Sequence, residues 1–203
     1  MSINEEHEAE KRVLDAAKTV FHKRGYFGTR MQDIADEAGI NKAMLHYYFR
    51  SKDKLFEAVF EEALSRVFGR ILKSFSGEGT FEEKVRTFSE SYIDLILQDP
   101  YIPAFVIHEI NHNPEKIKYF ISEKMGIDPG FLIDMINEEI KKGKLKNIEP
   151  LQIITTIISA SIFPFIGKPI LQHVFDLDDD SFADLMQERK KIIPEIILNG
   201  IKK

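Results

Sequence analysis

The stretch MQDIADEAGINKAMLHYYFR, residues 31–50, followed directly by SKDKLF, residues 51–56, contains the most informative pattern in this sequence. It predicts two short helices joined by a turn. Ala35 is small where the second helix would cross the first, at about 8 Å between the axes. Gly39 falls in the turn, where glycine tolerates a left-handed backbone. The residues predicted to hold the two helices together are Ile34, Ala38, Ile40, Leu45 and Tyr48.

The opposite face of the second predicted helix is polar and aromatic. It carries two rows of residues spaced one helical turn apart, Lys42 with His46 and Ala43 with Tyr47. A cation, a small residue, an imidazole and a phenol on one short exposed helix suit contact with base edges in the major groove of DNA. Asn41 is the predicted N-cap of this helix and belongs to the same candidate DNA-binding surface.

The pattern continues on both sides of this motif, from about Lys11 to Phe60. The run LDAAKTVFHKRGYFGTRMQDIADEAGINKAMLHYYFRSKDKLFEAVF contains an opening helix, a Gly-Tyr-x-x-Thr connection, the two-helix motif, and Ser-Lys-Asp-Lys-Leu at the start of a fourth helix. In this order the elements resemble the N-terminal domain of the TetR (tetracycline-repressor-like) transcriptional regulators. His46 departs from the family pattern, which more usually has tyrosine at that position.

The resemblance implies a ligand-responsive DNA-binding regulator, a repressor that binds a palindromic operator as a dimer. Double-stranded DNA, a small effector molecule and a second copy of the chain are the implied partners. In this interpretation Lys42, Ala43, His46 and Tyr47 enter the major groove, and Tyr47 also reaches phosphate. The phosphate backbone is contacted by Thr29, Arg30 and Lys54, and the amides beside Lys54 offer a phosphate site at a helix start.

The charge distribution agrees with this interpretation once it is divided along the chain. The chain of 203 residues has a net charge of −5. The segment between Lys11 and Lys54 nevertheless contains ten cations and five anions, so the remainder of the chain is strongly acidic. Because salt screens charge beyond about 10 Å, attraction to phosphate is a local property. The acidic remainder of the chain therefore does not prevent a basic segment from binding DNA.

The composition indicates the class of protein and the compartment in which it is expected. With 43% hydrophobic and 30% charged residues, the composition is that of an ordinary globular protein. The absence of cysteine excludes disulfides and thiolate metal sites and agrees with a reducing compartment. The polar start resembles no signal peptide, and the longest apolar run, residues 153–166, is shorter than the roughly 20 residues of a membrane span. We therefore expect a cytoplasmic protein that needs no membrane and no cofactor.

The sequence predicts helices almost throughout, each begun by a recognisable cap. The predicted starts are Thr29 with Gln32, Asn41, Ser51, Thr80 with Glu83, and a Ser181-x-x-Asp184 box. The predicted fold is all-α. A three-helix helix-turn-helix head occupies residues 8–51, with the motif itself at about 31–50. A helical bundle for effector binding and dimerisation occupies residues 52–203.

The predicted body has many aromatic residues between Phe81 and Phe175. Most of them would fill a core, but polar groups inside apolar helices point to a binding site, because a buried polar atom needs a partner. The candidate ligand-binding residues for a mostly apolar effector are Tyr92, Phe105, His108 and Phe131.

One motif favours a different class of protein. The run His108-Glu109-Ile110-Asn111-His112 spells H-E-x-x-H, in which two histidines one helical turn apart bind zinc and the glutamate activates water. The context is poor for a metallopeptidase, since Asn113-Pro114 ends the helix, no third-ligand motif follows and no strand pattern is present. A zinc-dependent hydrolase is therefore the alternative function, and no metal or catalytic residue is assigned. A third possibility is an interaction protein that kept the head but lost DNA binding, and the intact cations of the head argue against it.

The last two long predicted helices point to self-association. Residues 151–165 are apolar nearly all round, and residues 182–198 add a second apolar surface. Helices of this kind are buried on more than one side. We expect a homodimer through these helices, and charged substitutions at Ile158 or Ile193 are predicted to disrupt it.

Overall fold

The computed structural model describes residues 3–112 and 114–203, without the side chains of residues 3–6, 108, 112 and 116. The described chain is helical and contains no β-strand, with one isolated antiparallel bridge between Leu145 and Lys202. The all-α prediction is therefore confirmed. The helices are α1 Ile3–Gly28, α2 Met31–Ala38, α3 Lys42–Tyr48, α4 Lys52–Ser76, α5 Phe81–Gln98, α6 Ile102–His112, α7 Pro114–Tyr119, α8 Gly130–Lys141, α9 Pro150–Ile166, α10 Lys168–Phe175 and α11 Asp179–Ile201, with a π-helical turn at Phe120–Lys124 after α7.

The chain divides into two compact units. The N-terminal unit extends to Leu64 and the C-terminal unit begins at Ser65, so the division falls inside α4. No single helix in the described chain is both long and apolar enough to cross a bilayer. The helices α9 and α10 reach that composition only as a pair, with a bend of 63° between them.

The N-terminal unit has a small core built from all four of its helices. Phe21 of α1, Ile34 of α2, Leu45 of α3 and Leu55 of α4 are essentially inaccessible to solvent. The rings of Phe21 and Phe56 meet edge to face, with centroids 5.0 Å apart. Aromatic pairs prefer this geometry, and it adds to the free energy gained by burying the rings. The helix that carries the exposed polar row is thus held by side chains from three neighbouring helices.

The first helix, α1, is kinked at Gly25. This residue has φ 66° and ψ 177°, a conformation that glycine adopts without a steric penalty. The chain then resumes a helical course to Gly28 before α2 begins.

The helix caps agree with the sequence at some positions and not at others. Met44 donates its N–H to Asn41 Oδ1 at 2.8 Å, and Thr80 with Glu83 forms a capping box, so both predicted caps are confirmed. The predicted Thr29 cap is wrong, because the N-cap position of α2 is Arg30 and the Thr29 hydroxyl donates instead to the Gly25 carbonyl at 2.7 Å. The predicted Ser181 box is also wrong. Asp178 caps α11 by accepting the Ser181 N–H at 2.8 Å.

The C-terminal unit is a helical bundle in which α5 and α9 lie at the centre. The helix α5 packs against α8, α9 and α11, and α9 also contacts α6, α8, α10 and α11. The most deeply buried side chains of the C-terminal unit are Phe88, Ile93, Leu95, Ile96, Ile102, Ile136 and Ile153. Two ion pairs, Arg86 with Glu195 and Lys190 with Asp94, link the surfaces of α5 and α11.

A proline inside α9 creates a second link, between α9 and α11. Pro164 has no N–H, so the carbonyl of Ala160 lacks its usual partner four residues later. Arg189 of α11 fills this place by donating from Nε at 3.2 Å and from Nη2 at 2.9 Å to that carbonyl. A partly buried backbone acceptor is thereby satisfied from a neighbouring helix.

This arrangement makes the contribution of Arg189 to stability depend on Pro164. We expect Arg189→Ala to lower the free energy of unfolding by about 1–3 kcal/mol, because it leaves the Ala160 carbonyl without a donor. In a Pro164→Ala background the helix supplies its own N–H, and the loss should be clearly smaller. Urea unfolding of the four proteins in a double-mutant cycle measures the difference. Lys191→Ala, at an exposed position of the same helix, is the control. Equal losses in the two backgrounds would contradict the assignment.

Candidate nucleic-acid interface and internal cavities

The turn between α2 and α3 is built on Gly39. This residue has φ 65° and ψ 33°, in the left-handed region, and its N–H returns to the Asp36 carbonyl at 3.2 Å. The N–H of Ile40 donates to the Ala35 carbonyl at 3.0 Å, which closes the end of α2. Asn41 then opens α3 at once. The short turn therefore fixes the direction of α3 through backbone hydrogen bonds that glycine permits at this position.

The inward face of α3 packs against α2, and the side chains at the centre of this contact are fully buried. Ile34, Ala35 and Leu45 are each 0% exposed, and Ala38, Ile40 and Tyr48 are half-buried. The small side chain of Ala35 allows the two helices to approach closely. The position of the outward face of α3 is therefore determined by packing.

The outward face of α3 presents the row that the sequence predicts. Lys42, Ala43 and His46 are exposed, and Tyr47 is 72% exposed, with its ring edge to face against that of Tyr48 at 5.3 Å. His46 Nδ1 lies 3.3 Å from the Arg50 carbonyl. The tautomer protonated on Nδ1 donates to that carbonyl and keeps Nε2 as an acceptor for a base or a phosphate. Cation, acceptor and phenol thus lie side by side on one solvent-facing surface.

The residues predicted to contact the phosphate backbone are placed differently from one another. Arg30 is exposed at the start of α2, and the Lys54 side chain is 70% exposed and pairs with Glu57 at 2.8 Å. The Ser51 hydroxyl accepts the Lys54 N–H at 3.2 Å and caps α4. Thr29, by contrast, is 1% exposed, and its hydroxyl donates to a backbone carbonyl inside the unit.

A cluster that sequence reasoning missed joins the start of α4 to the connection before α2. Lys52 Nζ donates to the carbonyls of Tyr26 at 3.0 Å and Thr29 at 3.1 Å, and lies 4.2 Å from the centroid of the Tyr26 ring. The Tyr26 hydroxyl in turn donates to Asp53. The connection before α2 contains the motif Gly-Tyr-x-x-Thr, and the start of α4 contains Ser-Lys-Asp. Nothing in the sequence shows that these two segments are in contact.

A second carboxylate steadies the start of α2. Asp33 accepts the N–H of Arg30 at 2.9 Å and pairs with Arg24 of α1 at 2.9 Å. The Arg30 hydrogen bond, followed by the Arg24 guanidinium, holds the pKa of Asp33 below its usual value. A hydrogen bond and an ion pair of one carboxylate therefore hold the start of α2 to α1.

The C-terminal unit contains two apolar cavities that share part of their walls. One has a volume of about 180 Å³ and is lined by α4, α5, α6 and α9, and we name it the Tyr92 cavity after its polar residue. The other has a volume of about 310 Å³ and is lined by α4, α9 and residues 121–133, and we name it the Phe131 cavity. Phe68, Ile71 and Ile158 line both.

The predicted ligand-binding residues fall in different places around these cavities. Tyr92 lines the first cavity and Phe131 the second, whereas Phe105 lines neither. The side chain of His108 lies outside the described residues. Tyr92 is 2% exposed, and it is the one polar side chain in the described lining of the first cavity. Burial raises the pKa of Tyr92, so its phenol stays protonated.

The zinc-like motif lies in α6, which ends at His112. The side chains of His108 and His112 are outside the described residues, and Glu109 is buried, 7% exposed. Among the side chains that the structure describes, no group of three or more histidine, cysteine, aspartate or glutamate residues could hold a metal ion.

Apolar side chains on α9, α10 and α11 remain open to solvent in a single copy of the chain. Phe163 on α9 is 63% exposed, and Ile192 and Ile196 on α11 are 49% and 62% exposed. Ile158 and Ile193, the positions chosen from the sequence, are half-buried and 5% exposed respectively. A charge at either of them would disturb the core of the unit itself, so they are the wrong positions for a test of dimerisation.

Comparison with known proteins agrees with this architecture. The family model of "Bacterial regulatory proteins, tetR family" matches residues 13–59. The HTH-type transcriptional regulator RutR of Escherichia coli O157:H7 is 28% identical over 209 residues, which cover 95% of this chain and 90% of that protein. The biofilm operon icaADBC HTH-type negative transcriptional regulator IcaR of Staphylococcus epidermidis is 26% identical over 141 residues, 62% of this chain and 76% of that protein.

A solved structure gives the same fold. The ketosteroid transcriptional regulator KstR2 of Mycobacterium tuberculosis superposes with a TM-score of 0.72 at 17% sequence identity, over 96% of this chain and 95% of that chain. The helix-turn-helix of residues 31–50, the family match around it and the fold of the remaining helices lead to one conclusion. Residues 13–59 match the tetR family of bacterial regulatory proteins, and this chain is a DNA-binding transcriptional regulator.

Proposed function

We propose that this regulator is a repressor that binds a palindromic operator as a homodimer and releases it when a mostly apolar effector enters the C-terminal unit. The observation that carries the proposal is the exposed row on α3, which is held in place by the buried residues behind it. The protein would act in the cytoplasm, and the proposal assigns it no catalytic activity and no cofactor. The negative regulator IcaR, a relative, supports the choice of repressor.

In the proposed complex α3 lies in the major groove. Lys42, Ala43, His46 and Tyr47 face the bases, and Tyr47 is long enough to reach phosphate as well. Contacts to the phosphate backbone come from Arg30, Asn41 and Lys54. Lys54 is already paired with Glu57, so binding DNA exchanges one anionic partner for another.

Thr29 has a different role in this proposal from the one expected of it. Its hydroxyl is already donated to the Gly25 carbonyl, and its own carbonyl accepts from Lys52. We therefore assign it to positioning the connection between α1 and α2, which sets where Arg30 stands. The predicted division at residues 51 and 52 is kept as a functional one, with α4 contributing residues to both units.

Two cavities support the effector part of the proposal. The larger, at about 310 Å³, lies at the lower end of the size range of small-molecule sites. The helix α4 begins beside α3 in sequence and contributes Phe68 and Ile71 to both cavity walls. An effector shifts the equilibrium only as far as it prefers the form that does not bind DNA, typically about 1–3 kcal/mol.

The DNA-binding surface is tested with a duplex selected from random sequences by the purified protein. We expect Tyr47→Ala to weaken binding of the selected duplex by about 1–3 kcal/mol and to relax the sequence preference, because it removes a contact to the bases. Lys54→Ala should weaken all duplexes alike and reduce the dependence of affinity on salt. Fluorescence anisotropy measures both effects.

Tyr119→Ala is the matched control, since this tyrosine is 57% exposed in the C-terminal unit. Unchanged affinity and preference in both Tyr47→Ala and His46→Ala would show that another face of the protein contacts the bases.

A further inference from the structure

We propose that the Tyr92 and Phe131 cavities together hold one elongated, uncharged, largely hydrocarbon molecule whose single hydrogen-bond acceptor meets the Tyr92 hydroxyl. This inference rests on the proposed effector site and specifies the class of ligand that the site takes. Three observations carry it, namely the chemistry of the cavity walls, the position of Tyr92 in the lining and the side chains that the two cavities share.

The described walls of the two cavities offer no charged side chain to a ligand. Among the described residues, the lining consists of Ile, Leu, Val, Phe, Pro and Gly side chains with Tyr92 as the one polar member. The helix α6 contributes several residues to the lining. Its Glu109 is buried but does not line either cavity. A carboxylate or an ammonium in such a space would lose its hydration without gaining an opposite charge, which strongly opposes binding.

The Tyr92 hydroxyl is the group that would orient a ligand in the site. Its ring is fixed against Phe88, with centroids 5.1 Å apart, and the residue is 2% exposed. Tyr92 is the one polar side chain in the described lining of the two cavities, and burial raises the pKa of Tyr92, so its hydroxyl remains an O–H donor. A ketone, ester, ether or hydroxyl oxygen of a ligand in the cavity can accept a hydrogen bond from this donor.

The shared walls indicate an elongated shape. Phe68, Ile71 and Ile158 are the side chains common to both cavities, and all three are half-buried, not locked in the densest part of the core. A change of rotamer at these positions would join volumes of about 180 Å³ and about 310 Å³ into one continuous site. A chain-like ligand fills such a site, with its acceptor at the Tyr92 end.

The polar anchor is tested with three molecules of similar length on the full-length protein. Methyl decanoate has an uncharged acceptor, dodecane has none, and decanoate is charged. We expect methyl decanoate to bind best, by isothermal titration and by the rise in melting temperature. Tyr92→Phe, which removes only the hydroxyl, should weaken methyl decanoate about 2- to 10-fold and leave dodecane unchanged. Tyr119→Phe is the control and should change neither.

The elongated shape is tested by filling one cavity at a time. Ile110→Phe adds bulk to the Tyr92 cavity, and Ile121→Phe adds bulk to the Phe131 cavity. Both variants should weaken methyl decanoate, whereas the short ester methyl butanoate should be sensitive to Ile110→Phe alone.

Specific results would overturn the inference. Tighter binding of decanoate than of its ester, or an equal response of ester and dodecane to Tyr92→Phe, would refute the polar anchor. Insensitivity of methyl decanoate to Ile121→Phe would refute the elongated site. Binding that follows the expected pattern but leaves affinity for DNA unchanged would support this ligand class and refute the coupling in the proposed function. Absence of binding by all three molecules would refute the ligand class, while DNA binding itself would stand.

Discussion

Replacing Ile196 by aspartate is expected to convert the proposed dimer to a monomer and to weaken binding to a two-site operator about 100-fold or more. Ile196 is 62% exposed on α11, one helical turn from Ile192, which is 49% exposed. An apolar pair that is left in water in one copy gains most from burial against a second copy. A carboxylate in a dry interface has no partner there, and losing the second DNA-binding surface removes the advantage of binding both half-sites at once.

The same charge on the other side of α11 is the control. Gln187 lies nine residues before Ile196, about 180° around the helix at 100° per residue. Gln187→Asp should therefore leave the molecular mass in sedimentation and the affinity for the operator unchanged. A folded wild-type monomer of 23.5 kDa at micromolar concentration would refute the dimer. Dimeric Ile196→Asp with normal operator affinity would place the interface elsewhere.

Truncating Leu45 to alanine is expected to destabilise the N-terminal unit by about 2–5 kcal/mol, because it removes a fully buried side chain and leaves a cavity between helices. Leu45 is 0% exposed and is the buried residue of α3. Without it the outward row on the same helix loses its support, so binding to DNA should fall with stability. Amide hydrogen exchange of residues 31–50, followed by mass spectrometry, would locate the loss in this unit.

Leu45→Met is the matched variant, since it keeps the volume and should cost less than about 1.5 kcal/mol. Equal effects of the two substitutions would mean that packing at this position is loose. Full protection of residues 31–50 in Leu45→Ala would mean that the stability of the motif arises elsewhere.

The helix-turn-helix could be predicted closely because its determinants are local in sequence. Gly39, Asn41 and Leu45 lie within seven residues of one another, and each has a role that a turn, a cap or a helical period requires. Thr29 was misjudged because a threonine beside a helix start can cap the helix or turn inward. The choice depends on the kink at Gly25 and on Lys52, which lies 23 residues away.

The sites in the C-terminal unit were harder to predict for a related reason. A polar residue among apolar ones identified Tyr92 as a cavity residue, since its burial needs an explanation. Phe105 has no such distinguishing property, because nothing in an apolar helix shows which aromatic faces a void. For the same reason the sequence did not distinguish Ile193, which is 5% exposed, from Ile196, which is 62% exposed. In a helix that is apolar nearly all round, only the positions of neighbouring helices separate core from surface.

The link between Pro164 and Arg189 also restricts the order in which the two positions can change during evolution. If Pro164 is replaced first, the helix recovers an N–H for the Ala160 carbonyl, and Arg189 becomes dispensable. If Arg189 is replaced first, that carbonyl is left without a donor until the proline also changes. A lineage that loses the pair is therefore expected to pass through the form without proline, although neither residue is adjacent to the other in sequence. Reconstructed intermediates in the two orders would differ in stability, and the intermediate that keeps the proline but lacks the arginine would be the less stable one.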